Sequence, residues 1–137
     1  MKKTTNALII IATIGIVLGL YLTYSFYSNS IPVCDISQNI SCDKLTKGDY
    51  ATVLGIPIAV MGVLWFVLIF LLAYQTNKNP KNAIYLLLLS ISGLIFMLYL
   101  IGIEIALKTI CLWCTAVHIL ILFNFFISLK IYRKSRV

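Results

Sequence analysis

The chain has 137 residues, of which 61% are hydrophobic, with a mean hydropathy of +1.02 and a net charge of +7. No ordinary soluble domain is so apolar, and one small bundle leaves no room for a second, soluble domain. The positive charge does not make a nucleic-acid binder, because the cations flank apolar runs and form no stripe interleaved with aromatics.

Two lysines follow Met1, and residues 7–27 then predict a first membrane-spanning helix, about 20 residues being enough to cross the bilayer core. Gly15 and Gly19 give it a Gly-x-x-x-Gly face on which another helix can approach closely. A cleaved signal peptide is the alternative, but the apolar stretch exceeds the usual roughly 7–15 residues and no small-x-small cleavage site follows. The one long polar segment, 28–55, holds Cys34, Cys42, Asp35, Asp43, Asp49, Lys44 and Lys47. Within it, 41–48 predicts a short helix with Ser41 as N-cap and Gly48 as stop, which places Cys42 at a helix start. The second span begins at Gly55-Ile56-Pro57, with Pro57 in its first turn, and runs to about Tyr74. A polar turn over 75–82 leads to the third span, 83–107, near whose end Glu104 and Lys108 are an ion-pair candidate. The fourth span, about 111–131, opens with Thr109-Ile110-Cys111-Leu112-Trp113-Cys114. There Thr109 reads as the N-cap and Cys111 as the second helical residue. The expected fold is an all-α membrane protein, a single domain over 1–137: a four-helix transmembrane bundle capped by the short helix of its outer loop.

Charge sets the orientation. Lys2, Lys3, Lys78, Lys81, Lys130, Arg133, Lys134 and Arg136, eight of the eleven cations, fall at the termini and the 75–82 turn, with no acid among them. Lys44, Lys47, Lys108 and all four acids fall on the other face. The positive-inside rule then predicts a multi-pass protein of the cell membrane with both termini cytoplasmic and every cysteine outside.

That side of a membrane is oxidising. One cysteine pair lies in a loop and the other at the mouth of the bundle. Cysteines three apart at a helix start can form a disulfide, and the helix N-terminus favours a thiolate. The arrangement predicts a thiol–disulfide relay: a mobile pair collects electrons, and a fixed pair passes them to a lipid-soluble acceptor, a quinone. Three plainer readings compete. The pairs could be static staples, the four thiols could bind zinc despite the wide gap between Cys34 and Cys42, or the cysteines could be small hydrophobes. We assign no metal. His118, the sole histidine, follows Cys114 by four residues and Cys111 by seven, and so shares their helix face. It reads as a quinone donor or proton relay, or else as a structural histidine bonded to a neighbouring helix. Trp65, Tyr99 and Trp113 are candidate pocket walls, although interface aromatics commonly serve as anchors.

Cys34 and Cys42 in the first outer loop, the run Cys42-Asp43-Lys44-Leu45, the run Tyr50-Ala51-Thr52-Val53-Leu54-Gly55-Ile56-Pro57, and Cys111-Leu112-Trp113-Cys114 opening the fourth helix carry a resemblance. Together they resemble the vitamin K epoxide reductase family, and most closely its bacterial and archaeal homologues, which resemble DsbB-type oxidases in task. The motif order is specific, since DsbB-type proteins carry their Cys-x-x-Cys just after the first helix. The resemblance covers the chain from Cys34 to the end of the fourth helix. It implies that Cys111 and Cys114 are the active pair, with Cys114 facing the quinone (menaquinone, ubiquinone or a relative). Cys34 and Cys42 become the shuttle, Cys42 exchanging with Cys111 and Cys34 with the partner. Quinone contacts are expected at His118, Tyr50, Tyr99 and Thr46. Gly48 stands where the family commonly has Ser or Thr, with Thr46 nearby, so epoxide chemistry is a weaker expectation than quinone reduction. Many homologues add a thioredoxin-like domain; none follows Val137, so the expected partner is a separate thioredoxin-fold protein. The expected function is a membrane thiol:quinone oxidoreductase that re-oxidises such a carrier and supports disulfide formation. The alternatives are a quinone or vitamin K epoxide reductase not dedicated to protein oxidation, and a disulfide-stapled membrane binding protein without enzymatic activity.

Overall fold

In lipid, a long apolar segment must satisfy its backbone polar groups internally, and a helix does so. The computed structural model describes residues 1–28, 34 and 36–137. Its elements are α1 (Lys2–Ser28), α2 (Asp43–Thr46), β1 (Thr52–Val53), β2 (Ile56–Pro57), α3 (Ile58–Lys78), a 3₁₀ turn (Pro80–Asn82), α4 (Ala83–Leu107) and α5 (Leu112–Arg136). The four long helices are each long and apolar enough to cross a membrane. α4, at 25 residues, rises about 37 Å, more than a hydrocarbon core of about 30 Å requires.

The helices close a ring in the order α1, α3, α4, α5, in which α1 and α4 each pack on both α3 and α5. Three of the four seams show a specific physical cause. Along α1–α3 the expected small-residue face is in contact: a Cβ on Gly15 would come within 2.5 Å of the Phe66 ring, and one on Gly19 within 2.6 Å of Val63 Cγ2. Leu8, Ala12, Phe66, Ile69 and Ala73 are buried beside it. Between α3 and α4, Trp65 Nε1 donates to the Leu89 carbonyl at 3.1 Å, and the indole fills the space left by Gly93. Between α4 and α5, Ser90 Oγ lies 2.8 Å from Ser128 Oγ and 3.0 Å from Asn124 Oδ1, all three residues being buried. Interhelical polar contacts of this kind contribute about 0.6 kcal/mol each on average.

Several element ends differ from the sequence expectation. Pro57 does not enter the first turn of α3. It pairs with Thr52 across the β1–β2 hairpin, which keeps it extended and puts it at the N-cap. α3 then continues to Lys78, so the polar turn shrinks to 79–82, where Asn79 Oδ1 accepts the Lys81 N–H at 3.2 Å. α2 is a single turn whose N-cap is Cys42 rather than Ser41. Asp43 and Lys47 pair across it at 3.3 Å, the one salt bridge among the described residues. Glu104 and Lys108 accordingly form none. Lys108 adopts a left-handed φ of 51° and ends α4, and the next residue, Thr109, donates its N–H to the Glu104 carbonyl at 3.1 Å. Asp35 lies outside the described residues.

Candidate redox site

The left-handed turn at Lys108 redirects the chain, and Ile110 then pairs with Ile40 of the loop, its N–H donating to the Asn39 carbonyl at 2.9 Å. Extended backbone at that point delays the helix. Cys111, not Thr109, is therefore the N-cap of α5, and Thr109 is buried with its hydroxyl on the Leu107 carbonyl at 3.1 Å. The shift strengthens the chemical argument. Cys111 Sγ now accepts the Cys114 N–H at 3.2 Å, a donor left open by the helix start. The Cys114 thiol, as hydrogen-bond donor, has the largest effect and holds Cys111 below the ordinary thiol range; burial opposes it, while the N–H groups of Cys114 and Trp113 assist.

Across from this N-cap, Cys34 and Cys42 form a disulfide with a Cα–Cα separation of 5.9 Å, while Cys111 and Cys114 are free thiols. Cys42 Sγ lies 3.1 Å from Cys111 Sγ. The sulfurs of Cys34, Cys42 and Cys111 all lie within 4.8 Å of one another, and each residue is buried. A thiol touching one sulfur of a disulfide is the geometry of exchange. With Cys34 and Cys42 bonded to each other the cluster keeps one free thiol, too few to ligate zinc in this state.

Beside Cys114 the four helices line a partly open cavity of about 340 Å³, with Leu45, Thr46 and Ala51 of the loop also bordering it. That volume is within the range of small-molecule sites. Its walls are apolar apart from Thr46, Ser92, Cys114 and His118. His118 is buried, and its Nε2 has no partner. An unpaired buried polar atom beside a thiol, in an otherwise apolar slot, fits a planar ring carrying carbonyl groups, and a quinone has that chemistry.

Of the residues expected from sequence, Thr46 and His118 line this cavity and Trp65 forms part of its wall. Tyr50 and Tyr99 do not: they are 53% and 52% exposed. Ala51, next to Tyr50, faces the cavity instead, and Tyr99 stacks on Phe96, which does line it, at 6.0 Å. Trp113 also turns away and meets the Tyr21 ring at 5.4 Å. Sequence reasoning missed Ser92 and Phe96. It also treated Glu104 only as an ion-pair candidate, whereas its carboxylate accepts the Cys111 N–H. The available signal was that Glu104 is the sole acid inside any of the four spans.

Against known proteins, the model of the Vitamin K epoxide reductase family matches residues 6–129. Among curated proteins nothing matches the chain.

Proposed function

This chain belongs to the vitamin K epoxide reductase family, and from that premise we propose that it re-oxidises an extracytoplasmic thioredoxin-fold carrier and reduces a membrane quinone. Membership implies a quinone-linked thiol oxidoreductase; the carrier, the direction of flow and the residue roles are our reading. One observation carries it: Cys42 touches Cys111 at 3.1 Å at the α5 N-terminus, and Cys114 borders an apolar cavity. The loop sulfur, the fixed pair and the cavity are thereby contiguous.

The steps follow from thiolate chemistry. A carrier thiolate attacks Cys34, and the carrier's second thiol resolves the adduct, leaving Cys34 and Cys42 reduced. Cys42 then attacks Cys111 of a Cys111–Cys114 disulfide and releases Cys114 as thiolate. Attack of Cys34 on Cys42 restores the loop disulfide and releases Cys111. That final arrangement, loop pair oxidised and fixed pair reduced, is the one present here. Cys111 is a good leaving group because the Cys114 thiol and the open N–H groups of α5 stabilise its thiolate. Re-forming the Cys111–Cys114 bond delivers two electrons to the quinone bound beside Cys114. His118 orients a carbonyl, and Leu45, Thr46 and Ala51 of the loop limit water. The distribution of cations supports an orientation with the cysteines outside.

Purified protein in lipid nanodiscs, given a reduced thioredoxin-fold protein and a short-chain ubiquinone, should convert one quinone per carrier disulfide formed, as followed by quinone absorbance. Carrier oxidation without quinone, or no thiol-dependent quinone reduction, would sink this reading.

A further inference from the structure

His118 borders two cavities. One is the apolar cavity it shares with Cys114; the other, about 810 Å³ and open, lies between α4 and α5 at the cysteine end of the bundle. Asn39, Glu104, Lys108 and Thr115 line this second cavity. Glu104 is its only acid, and Glu104 Oε1, like His118 Nε2, is buried without a hydrogen-bond partner. Glu104 on α4 and His118 on α5 thus line one open cavity together, and each carries a polar atom that is sealed from solvent and unpartnered.

We infer that Glu104 and His118 are a proton route from the water at the cysteine end of the bundle to the quinone carbonyl. The inference rests on the thiol:quinone reading above. The need for such a route comes from the balance of the reaction. A carrier dithiol that becomes a disulfide loses two electrons and two protons. Its protons leave into the water, because each attacking sulfur is a thiolate. In the reduced fixed pair the Cys114 thiol carries one proton, freed when the Cys111–Cys114 bond re-forms, while quinone reduction forms two O–H bonds. One further proton must therefore enter from water, since the hydrocarbon supplies none. Glu104 passes a proton to one ring nitrogen of His118, and the other ring nitrogen releases one to the carbonyl oxygen. Water in the open cavity then reprotonates Glu104, and the Cys114 thiol supplies the second proton as the Cys111–Cys114 bond re-forms. A carboxyl group within a membrane span is rare and costly unless it serves a pathway of this kind. Glu104 acts through His118 and touches no substrate itself.

The test is Glu104→Gln, which keeps the size and the acceptor for the Cys111 N–H but cannot carry a proton. In nanodiscs with a short-chain ubiquinone, the variant should reduce quinone on the order of 10²-fold more slowly, the scale of a lost general acid. Reduction of its fixed cysteine pair by carrier should not slow, because removing the negative charge beside Cys111 favours its thiolate. Formate, small enough for the open cavity, should restore quinone reduction in proportion to its concentration, and Glu104→Asp should retain most of the rate. Wild-type quinone kinetics in Glu104→Gln would overturn the route. So would a slowed variant that formate does not restore, or one that has also lost cysteine exchange, since each marks a structural role. If the wild-type protein itself reduces no quinone, the thiol:quinone reading has failed and the route with it; the wild-type control separates the two failures.

Discussion

His118→Leu separates two roles by the sign of its effects. Leucine fills a similar space without polar atoms, so packing against the cavity is largely kept. In the protein without quinone, Nε2 is buried and unpartnered, a situation that costs about 1–3 kcal/mol. Removing that atom should therefore raise the thermal stability of the quinone-free protein. With quinone bound, the same change deletes one hydrogen bond in a dry site, again about 1–3 kcal/mol. At 1.36 kcal/mol per decade this is about 5- to 150-fold in affinity or rate. Stability should rise as quinone reduction falls. Differential scanning fluorimetry on detergent-extracted, quinone-stripped protein measures the first, and stopped-flow quinone absorbance the second. A structural histidine predicts the reverse: unchanged quinone kinetics and lowered stability. That result would refute the assignment.

With Cys114→Ala, Cys111 has no neighbour to resolve it, so a Cys42–Cys111 disulfide should accumulate; peptide mapping under non-reducing conditions would detect it. With Cys42→Ala, a covalent adduct between Cys34 and a thioredoxin-fold protein should appear on non-reducing gels, and an adduct only in Cys111→Ala would instead mean that the partner attacks the fixed pair. Because hydrogen bonding from Cys114 lowers the Cys111 pKa, Cys111 should be alkylated at a pH where ordinary thiols are still protonated. Cys114→Ala in a background lacking the loop cysteines should move that profile to higher pH. Reporters fused at Val137 or inserted after Asn79 should register cytoplasm and one near Gln38 the outside; an outside signal at Val137 would reverse the orientation argument.

Much of the architecture could be read from the chain because bilayer thickness and backbone hydrogen bonding leave few choices for an apolar run. α4 starts and ends where the sequence places it, at 83 and 107. The Gly15–Gly19 face packs on a neighbour as its spacing suggests. What escaped was decided by tertiary contacts. The cap moved from Thr109 to Cys111 because Ile110 pairs with a loop residue 70 positions earlier, Ile40. Tyr50 and Tyr99 are chemically suited to a quinone, yet their orientation depends on hairpin register and helix rotation, which no local pattern records. The Ser90–Asn124–Ser128 contact was visible only as isolated polar residues in two apolar runs.

The burial of the loop disulfide bears on the order in which substrates can act. Cys34 is 2% exposed and Cys42 0% while the fixed pair is reduced. In this state a carrier meets no exposed loop sulfur to attack. On the proposed reading carrier and quinone would alternate, and turnover should be ping-pong: double-reciprocal plots at several quinone concentrations should be parallel. Small thiols such as glutathione meet the same closed door. Catalysis would then be confined to whatever can open the loop, and an oxidant facing a crowded compartment would be restricted to its own carrier by timing as well as by recognition.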